Sequence, residues 1–380
     1  FLSLVALTAA NLAGAGFSVR VLDPDGRPVE GAVVRVGPAA ERTDADGRAR
    51  LDADLPAELA VEAEGFARSR RTIGAGPSGE TVVRLSIRPL ETPIVVTGTV
   101  EPRAVAEVDR SLTAIDVDER QSVSWSFADI LKQDASVHMR ERGGDGTQAD
   151  ISIRGAGFDQ ALVMINGVRV SDAQTGHHSL NLPLPFEAVE QVEILRGSGS
   201  TLYGSDAIGG TINFVTRKPD AAELKLMGGL GEYGWNRSAA RGAVRRGLWT
   251  QTFATARDFS TGFESGRNFR NVAVSGETFL DTAIGSTSIL AAANDRPFGA
   301  NGFFGPWNSW EHTRARFLSV TQTVGRNPDK LQHRLNFAFR RHRDRFVLCR
   351  EGCVFGGVQF APEANQNLHR LDTWQGNYGA

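Results

Sequence analysis

Few residues of this chain combine the types and the spacing that enzymes use for chemistry. His138 and Glu141 have the H-x-x-E spacing that zinc carboxypeptidases also use, but both fall on or beside a predicted strand and no pattern supplies a third ligand. His177 and His178 are adjacent, and an extended backbone would point their side chains apart. We therefore predict no catalytic residue, no metal site and no cofactor.

Two glycine-rich segments raise the question of phosphate binding. Gly155 and Gly157 lack a third glycine at the required spacing, since Gln160 occupies that place, and no Gly-Lys-Ser/Thr follows residues 197–199. The glycines are better explained by the backbone, because glycine adopts positive φ and lets two chain segments approach closely. A nucleotide site is not predicted.

Composition limits the classes of protein to be considered. The chain has 380 residues, 41% of them apolar, which can support packed cores in two or three domains. Its formal net charge of −2 gives no indication of a nucleic-acid partner. No run of 18 or more apolar residues predicts a transmembrane helix. A membrane role would therefore need a closed β-barrel, the other structure that satisfies its backbone inside lipid.

The chain is organised around residues 149–219, where short β-branched runs alternate with glycine-rich turns. Asn166 and Gly167 are the strongest hairpin signal, because a type I′ turn needs positive φ at both central positions. Strands are predicted on both sides of this turn, at residues 151–155, 161–165, 168–170, 192–195 and 211–216.

These motifs resemble the plug domain of TonB-dependent outer-membrane receptors. The matching pieces are residues 153–155, 163–170, 192–197 and 203–213, and they follow the order that the family has. Each piece alone is weak, but the ordered set is specific. The alternative, a generic small α/β domain, would not need so many glycines and arginines at its strand ends.

Two regions precede the plug-like segment. Residues 1–16 look like the end of a secretory signal peptide, with an apolar core followed by small residues. The alternative is a buried N-terminal helix, which Gly14 and Gly16 would interrupt. Residues 17–90 contain short strands separated by regular turns and predict a small β-sandwich. This region resembles the carboxypeptidase-regulatory-like domain that is sometimes placed ahead of outer-membrane receptors.

Residues 91–110 are predicted to be a linker, because two prolines flank a short extended run. Its first part resembles the TonB box. The resemblance implies β-augmentation, in which this strand adds to the edge of a sheet in the TonB protein. The alternative is the last strand of the sandwich. The residues assigned to the TonB box are Glu91, Thr92, Pro93, Ile94, Val95, Val96 and Thr97.

Residues 111–219 are assigned to the plug, with a helix capped by Ser126 and strands at 112–117 and 137–140. The resemblance implies that Arg154 and Arg196 face the barrel and pair with barrel glutamates there. The alternative is a pair of exposed arginines that contribute little to stability.

Residues 220–380 form amphipathic segments of roughly ten residues, which match the strands of a transmembrane barrel. In the clearest of them, Leu335, Phe337 and Phe339 share one face. At about 20 residues per strand and connection the region allows roughly eight strands, whereas plugged transporter barrels have about 22. We therefore expect the chain to be part of a longer protein. Residues 294–310 are too rich in Gly, Pro and aromatic residues for a strand and are assigned to an extracellular loop.

The resemblance implies that plug loops and barrel loops contact the ligand. For each position the alternative is a solvated polar residue or an aromatic residue that packs within its own loop. The ligand-contact candidates are Asp172, Gln174, His177, His178, Asn181, Phe303, Phe304, Trp307 and Trp310.

The only two cysteines, Cys349 and Cys353, are four positions apart. An even count and an export signal favour a disulfide in an oxidising compartment. A structural metal is the weaker alternative.

The predicted fold class is mainly β: a small N-terminal β-sandwich, an α+β plug domain and the first part of a transmembrane antiparallel β-barrel. The resemblance implies a receptor in the bacterial outer membrane, with the plug and the N-terminal domain on the periplasmic side. Its expected partners are outer-membrane lipid and TonB with the ExbB/ExbD energy complex. Its expected ligand is a ferric siderophore or cobalamin. The alternative function is a surface module that binds glycans or proteins through the sandwich.

Overall fold

The computed structural model describes residues 17–37, 39–52, 57–63, 66, 69–74, 80–85, 94–95, 103–104, 110–120, 123–144, 147–172, 174–325 and 331–379. The chain divides into two units, Phe1–Thr92 and Pro93–Ala380. In the described ranges, no helix is both long enough and apolar enough to cross a membrane.

The first unit contains two small sheets around one core. One sheet has the order β4-β1-β7 and the other has the order β3-β2-β5-β6. Alternate residues point inward, and Val19, Val34 and Val61 are fully buried between the sheets. This is the arrangement of a small β-sandwich. The strands are β1 (Phe17–Leu22), β2 (Val33–Val36), β3 (Ala39–Arg42), β4 (Arg48–Leu51), β5 (Ala57–Glu62), β6 (Ser69–Ile73) and β7 (Glu80–Arg84).

The second unit begins with two short paired strands, β8 (Ile94–Val95) and β9 (Arg103–Ala104). An α+β domain follows, and we refer to its residues 110–216 as the plug. Its strands are β10 (Leu112–Asp116), β11 (Val137–Glu141), β12 (Ala149–Ile153), β13 (Ala161–Ile165), β14 (Val168–Arg169), β15 (Val189–Arg196) and β16 (Gly210–Thr216). Its helices are α1 (Val117–Arg120), α2 (Phe127–Leu131) and α3 (Ser200–Tyr203).

The plug is built on a five-stranded sheet with the order β10-β15-β16-β13-β14, beside the separate β11–β12 pair. The predicted hairpin turn lies between β13 and β14, where Asn166 and Gly167 have φ values of 51° and 80°. The Asn166 side chain also donates to Thr216 Oγ1 at 2.7 Å. This contact fixes the turn to the end of β16.

Glycine is required where β16 starts, because two other segments pass close to it. A Cβ on Gly210, whose φ is 152°, would lie 2.3 Å from the carbonyl oxygen of Leu195. A Cβ on Gly209 would lie 2.5 Å from Cβ of Ala156. The glycine-rich segment therefore allows close packing of strand ends and forms no phosphate cradle.

Eight antiparallel strands form the last sheet, which we call the wall. Each strand pairs with the next along the chain, from β17 to β23 and then to β26. A hairpin of two short strands, β24 (Cys353–Phe355) and β25 (Val358–Phe360), precedes β26. The wall strands are β17 (Glu223–Leu230), β18 (Asn236–Arg246), β19 (Trp249–Ser260), β20 (Phe269–Thr282), β21 (Gly285–Gly299), β22 (Trp310–Val324), β23 (His333–Cys349) and β26 (Ala364–Gly379).

The two faces of the wall differ, as the alternation in the sequence predicts. On β23, Leu335 and Phe337 are about half exposed, whereas Ala338, Arg340 and His342 are buried. The buried face lies against the plug, and Leu290, Phe317 and Ala338 of the wall join the hydrophobic core of the plug. One side of the wall is therefore an apolar outer surface. The other side is a contact surface for the plug that contains both polar and apolar residues.

The two ends of the wall also differ. At the end where the plug connects to β17, two-residue turns follow β18 and β20 and an eight-residue connection follows β22. At the other end, connections of five to 14 residues follow β17, β19, β21 and β23. We call the latter the loop end. The prediction that residues 294–310 form one loop is wrong in part, because β21 extends to Gly299 and the loop spans only 300–309. Pro297 fits in the strand because pairing with β20 skips its position, so its missing N–H is not needed there.

Candidate functional site

The plug and the wall are joined by buried ion pairs. Arg237 of β18 donates from Nη2 to Oε1 of Glu187 at 2.6 Å and from Nη1 to Asp258, its cross-strand neighbour on β19. Glu187 lies in the 3₁₀ turn Phe186–Ala188, which leads into β15. The side chains of Arg237 and Glu187 are only 5% and 3% exposed. A buried charge that loses its partner costs about 3–5 kcal/mol, so this pair holds the turn firmly against the wall.

A second ion pair lies at the same end of the plug sheet, near the start of β15. Asp118 of α1 accepts two hydrogen bonds from Arg241 of β18, at 2.8 and 3.2 Å. Arg217, which follows β16, lies 2.7 Å from the same carboxylate. Burial alone would raise the pKa of Asp118, but the hydrogen bonds from Arg241 and the charge of Arg217 outweigh it and lower that pKa. The carboxylate therefore remains charged and paired at physiological pH.

Asp172 makes the third contact, and its side chain is fully buried. Its Oδ2 lies 2.7 Å from Nδ1 of His342 and accepts a hydrogen bond from Arg340 at 3.3 Å. Burial would raise the pKa of Asp172, but His342 and then Arg340 hold it far below its usual range. The plug segment after β14 is thereby fixed to β23.

The hydrogen bonds around Asn181 determine which nitrogen of His342 carries the proton. Oδ1 of Asn181 accepts from Asn294 at 2.8 Å and from Arg296, which can only donate, at 3.2 Å. The Asn181 amide nitrogen therefore faces Nε2 of His342, 2.7 Å away, and Nε2 must accept. The proton is then on Nδ1, which points to Asp172. The contacts of Asp172 and Asn181 thus form one connected network.

In the ion pairs described above, the wall supplies the arginine and the plug supplies the carboxylate. At the loop end the wall supplies two carboxylates and the plug supplies a histidine. Nε2 of His178 lies 3.3 Å from Oε1 of Glu311 on β22 and 3.9 Å from Oδ2 of Asp344 on β23. All three residues are buried. Burial lowers the pKa of His178 to about 3, so the imidazole is neutral at physiological pH.

Exposed aromatic rings lie above this cluster. The Phe158 ring stacks on the His177 ring at a centroid distance of 4.6 Å, and Phe304 meets His177 edge-on at 6.4 Å. Phe158 and Phe304 are 38% and 43% exposed. The guanidinium of Arg142 lies 5.0 Å from the Phe304 centroid. These four residues form a surface that could contact a large, partly aromatic solute, and we call it the apical patch.

The other ligand-contact candidates have different surroundings. Gln174 is exposed, but Asp172, His178 and Asn181 are buried and their polar atoms face the wall. Phe303 is buried with Phe269 and Phe298. Trp307 packs edge-on against Phe355, and Trp310 lies beneath the guanidinium groups of Arg345 and Arg350. The expectation that the whole set faces a ligand is therefore corrected, because burial removes four of its members from solvent.

A cavity of about 110 Å³ separates part of the plug from the wall. Aromatic plug residues, among them Phe127 and Phe186, line one side, and Trp235, Arg237 and Asn294 of the wall line the other. The interface is therefore not packed throughout.

Comparison with known proteins agrees with this architecture. The family model described as TonB-dependent Receptor Plug Domain matches residues 104–211. The vitamin B12 transporter BtuB of Vibrio vulnificus is 31% identical over 209 residues, which cover 52% of this chain and 34% of that protein. The closed form of the ferric-catecholate import receptor Fiu from E. coli superimposes with a TM-score of 0.55 at 15% identity, covering 75% of this chain and 44% of that one.

Residues 104–211 are thus similar to the plug domain of TonB-dependent receptors. The chain spans about a third of the length of the vitamin B12 transporter that it matches. The predicted fold class is confirmed, and a Vibrio cholerae relative that is 37% identical over 133 residues is described as an iron-regulated outer membrane virulence protein. BtuB and Fiu are a transporter and a receptor, in agreement with the expectation that the chain is not an enzyme.

Among the described residues, Arg154 and Arg196 contact plug residues and none of the eight wall strands, so the expected pairing with barrel glutamates stays a prediction. Arg196 donates to Asp134, to Thr113 and, at 2.9 Å, to Ser136, all of them plug residues. Arg154 donates to Ser111 at 3.2 Å. Both arginines stand at strand ends beside β10 and β11, so the polar groups within reach of them belong to the plug itself.

Two further predicted sites have different outcomes. The structure records Cys349 and Cys353 as a disulfide with Cα atoms 5.5 Å apart, at the end of β23. Of the predicted TonB box, only the backbone of Ile94–Val95 is described, as strand β8. Glu91, Thr92, Pro93, Val96 and Thr97 lie outside the described residues, so the assignment stays a prediction.

The plug–wall ion pairs were not identified from the sequence. A signal for the wall partners did exist, because Arg237 and Arg241 occupy alternate positions of one strand, as do Arg340, His342 and Asp344 of another. Charged residues on one face of an amphipathic strand indicate a polar lumen. Their plug partners could not be inferred, since no pattern relates residues that are 50 to 168 positions apart.

Proposed function

We propose that this receptor imports a scarce, large solute across the outer membrane, with energy supplied through TonB. The family and the transporter relatives support this assignment. The observation that best supports it is the set of contacts between the plug and the wall. The plug contacts the wall through buried side-chain ion pairs such as Glu187–Arg237 and Asp172–Arg340 as well as through apolar side chains. Such contacts can be broken in sequence without unfolding the wall strands.

The orientation follows from the two ends of the wall. Outer-membrane barrels have short periplasmic turns and longer extracellular loops. The two-residue turns after β18 and β20 and the plug connection are at one end, which we assign to the periplasm. The apical patch and the loop 300–309 then face outward.

We assign the segment on which TonB pulls, which we call the tether, to residues 91–97. Ile94 and Val95 have strand backbone that pairs with only two residues of β9, so little pairing would be lost on exchange. In the proposed mechanism TonB, with ExbB/ExbD, pairs with this strand and pulls on it. The pull would displace plug segments from the wall and open a path to the periplasm.

We propose cobalamin or a ferric siderophore as the solute, bound first at the apical patch. Phe158, His177 and Phe304 offer ring faces, and Arg142, which pairs with Asp150, lies beside them. Rings suit the flat or aromatic parts of both ligand classes. Uptake of the two labelled solutes separates these classes.

The test is uptake of labelled cobalamin and of labelled ferric catecholate by cells that produce the full-length receptor and lack their own. Residues 91–97 are replaced by a Gly/Ser segment of equal length, and the parent receptor with and without a protonophore serves as control. We expect the replacement to reduce accumulation to the protonophore level while surface binding persists. Unchanged energised uptake would contradict the tether. Energised uptake of neither solute by the parent would contradict the substrate class.

A further inference from the structure

Three residues that are distant in sequence meet at the loop end of the plug–wall interface. His178 lies in the 3₁₀ turn Gly176–His178, Glu311 is the second residue of β22, and Asp344 lies in β23. One nitrogen or oxygen atom from each lies within 4.8 Å of the others. The plug thus provides an imidazole, and the wall provides two carboxylates.

The spacing of these atoms is close to that of a tetrahedral metal site. Bonds of about 2.0–2.1 Å at tetrahedral angles place neighbouring ligand atoms about 3.3 Å apart. Nε2 of His178 lies 3.3 Å from Oε1 of Glu311 and 3.9 Å from Oδ2 of Asp344. A shift of a few tenths of an ångström in one side chain would complete this part of the coordination shell.

One oxygen of each carboxylate has no partner. Oε2 of Glu311 and Oδ1 of Asp344 lack a hydrogen-bond partner among the described residues, and these two residues are only 3% and 6% exposed. Two buried carboxylates in contact repel each other unless a cation or proton lies between them. This arrangement therefore has room for a proton or a metal cation between the two groups.

Arg296 could supply positive charge to the two carboxylates, but its hydrogen bonds are made to plug residues. It donates to the carbonyl oxygens of Thr147 and Leu180 and to Oδ1 of Asn181. Its guanidinium is therefore committed to the plug backbone and does not reach between the two carboxylates.

We propose that His178, Glu311 and Asp344 bind a divalent transition-metal ion that joins the plug to the wall at the loop end. One neutral imidazole and two carboxylates suit Zn²⁺ and similar first-row ions better than Ca²⁺ or Mg²⁺, which prefer all-oxygen shells. His369 stands opposite Asp344 on β26, with its Nδ1 3.3 Å from Oδ2 of Asp344, and acts as a positioning residue for that ligand.

The ligands lie far from residues 91–97 in the chain and the metal need not be transported, so metal binding can be tested separately from the TonB mechanism. The ion would link the segment that carries the apical patch to two wall strands. His177, the neighbour of His178, contributes to that patch. Occupancy of the site would therefore hold the outward surface of the plug in one position.

The test uses purified full-length receptor in detergent, stripped of metal by a chelator and dialysed against Zn²⁺ with excess Ca²⁺ and Mg²⁺. Bound zinc is counted by elemental analysis. We expect His178→Gln and Glu311→Gln each to bind one zinc ion fewer than the parent, with at least about 100-fold weaker affinity at this site. His369→Gln is expected to weaken affinity by about 10-fold or more.

The matched control is His312→Gln, which removes a histidine next to Glu311 that pairs with Asp295 instead. This variant is expected to keep the parental stoichiometry. Folding is checked by the heat-modifiable migration of the barrel on gels, and Glu311→Gln preserves the shape of the side chain it replaces. Parental zinc binding in both ligand variants, or no saturable zinc binding by the parent, would overturn the proposal.

Discussion

Arg196 and Arg237 make similar buried contacts but join different parts of the receptor. Arg196 links β15 to Asp134 and Thr113, so it closes the plug on itself. Arg237 extends from the wall to Glu187, so it attaches the plug to the barrel. The same chemistry therefore stabilises one domain in the first case and the docking of two domains in the second.

This difference matters for transport because the two sets of contacts need not break together. The wall arginines are presented by strands whose register is fixed along their whole length. The plug acids lie on short turns and on the helix α1. Plug release can therefore proceed by movement of these short segments while Arg196 keeps the plug sheet intact.

The largest effect is expected for Arg237→Leu. It would leave Glu187 and Asp258 both buried without a cation and weaken docking of the plug by about 5 kcal/mol. The measurement is proteolysis of the plug in urea while the barrel stays folded. Docking as tight as in the parent would contradict the role given to Arg237.

Asp172→Asn is expected to weaken docking by about 3 kcal/mol, because Arg340 loses its carboxylate while His342 can still donate to the amide oxygen. Hydrogen exchange in β15 and β16 should remain parental once the plug is docked. Faster exchange there in the docked state would show that Asp172 stabilises the plug itself.

Arg196→Gln provides the opposite case. It removes hydrogen bonds within the plug and is expected to destabilise the plug sheet by about 1–3 kcal/mol. Hydrogen exchange should rise in β10 and β15, and the contact between Glu187 and Arg237 should persist. Release of an intact plug from the wall would contradict the claim that Arg196 stabilises the plug while Arg237 attaches it to the wall.

Acid is expected to weaken both sets of contacts. Burial would raise the pKa of Asp134, but hydrogen bonds from Ser136 and Arg196 lower it, and Asp172 is lowered by His342 and Arg340. A carboxylate with a lowered folded pKa stabilises fully above its unfolded value of about 3.9, and this contribution is lost as the pH falls through the folded pKa. Protection of the plug from proteolysis, measured between pH 7 and pH 2, should therefore decline below about pH 4. The decline should be less steep in the Asp172→Asn variant than in the parent.

The local structure of the plug could be predicted from sequence because its signals are local. The turn at Asn166 and Gly167 and the cap at Ser126 depend only on neighbouring residues, and both form as expected. The outward face of β23 follows from alternation in the same way.

The contacts between plug and wall could not be predicted, because they depend on how two elements dock. Arg196 and Arg237 look equally suited to a distant glutamate in the sequence, and only the fold shows which of them reaches one. The sequence around His178 gives no local signal of its contacts, because its partners, Glu311 and Asp344, come from strands far along the chain.

The most direct test of the account is a double-mutant cycle between Glu187 and Arg237, measured on plug docking in urea. Glu187→Gln, Arg237→Leu and the double variant are compared with the parent. We predict a coupling energy of about 2 kcal/mol or more, with plug hydrogen exchange in the docked state unchanged. A coupling below about 0.5 kcal/mol would contradict the claim that wall arginines seat the plug.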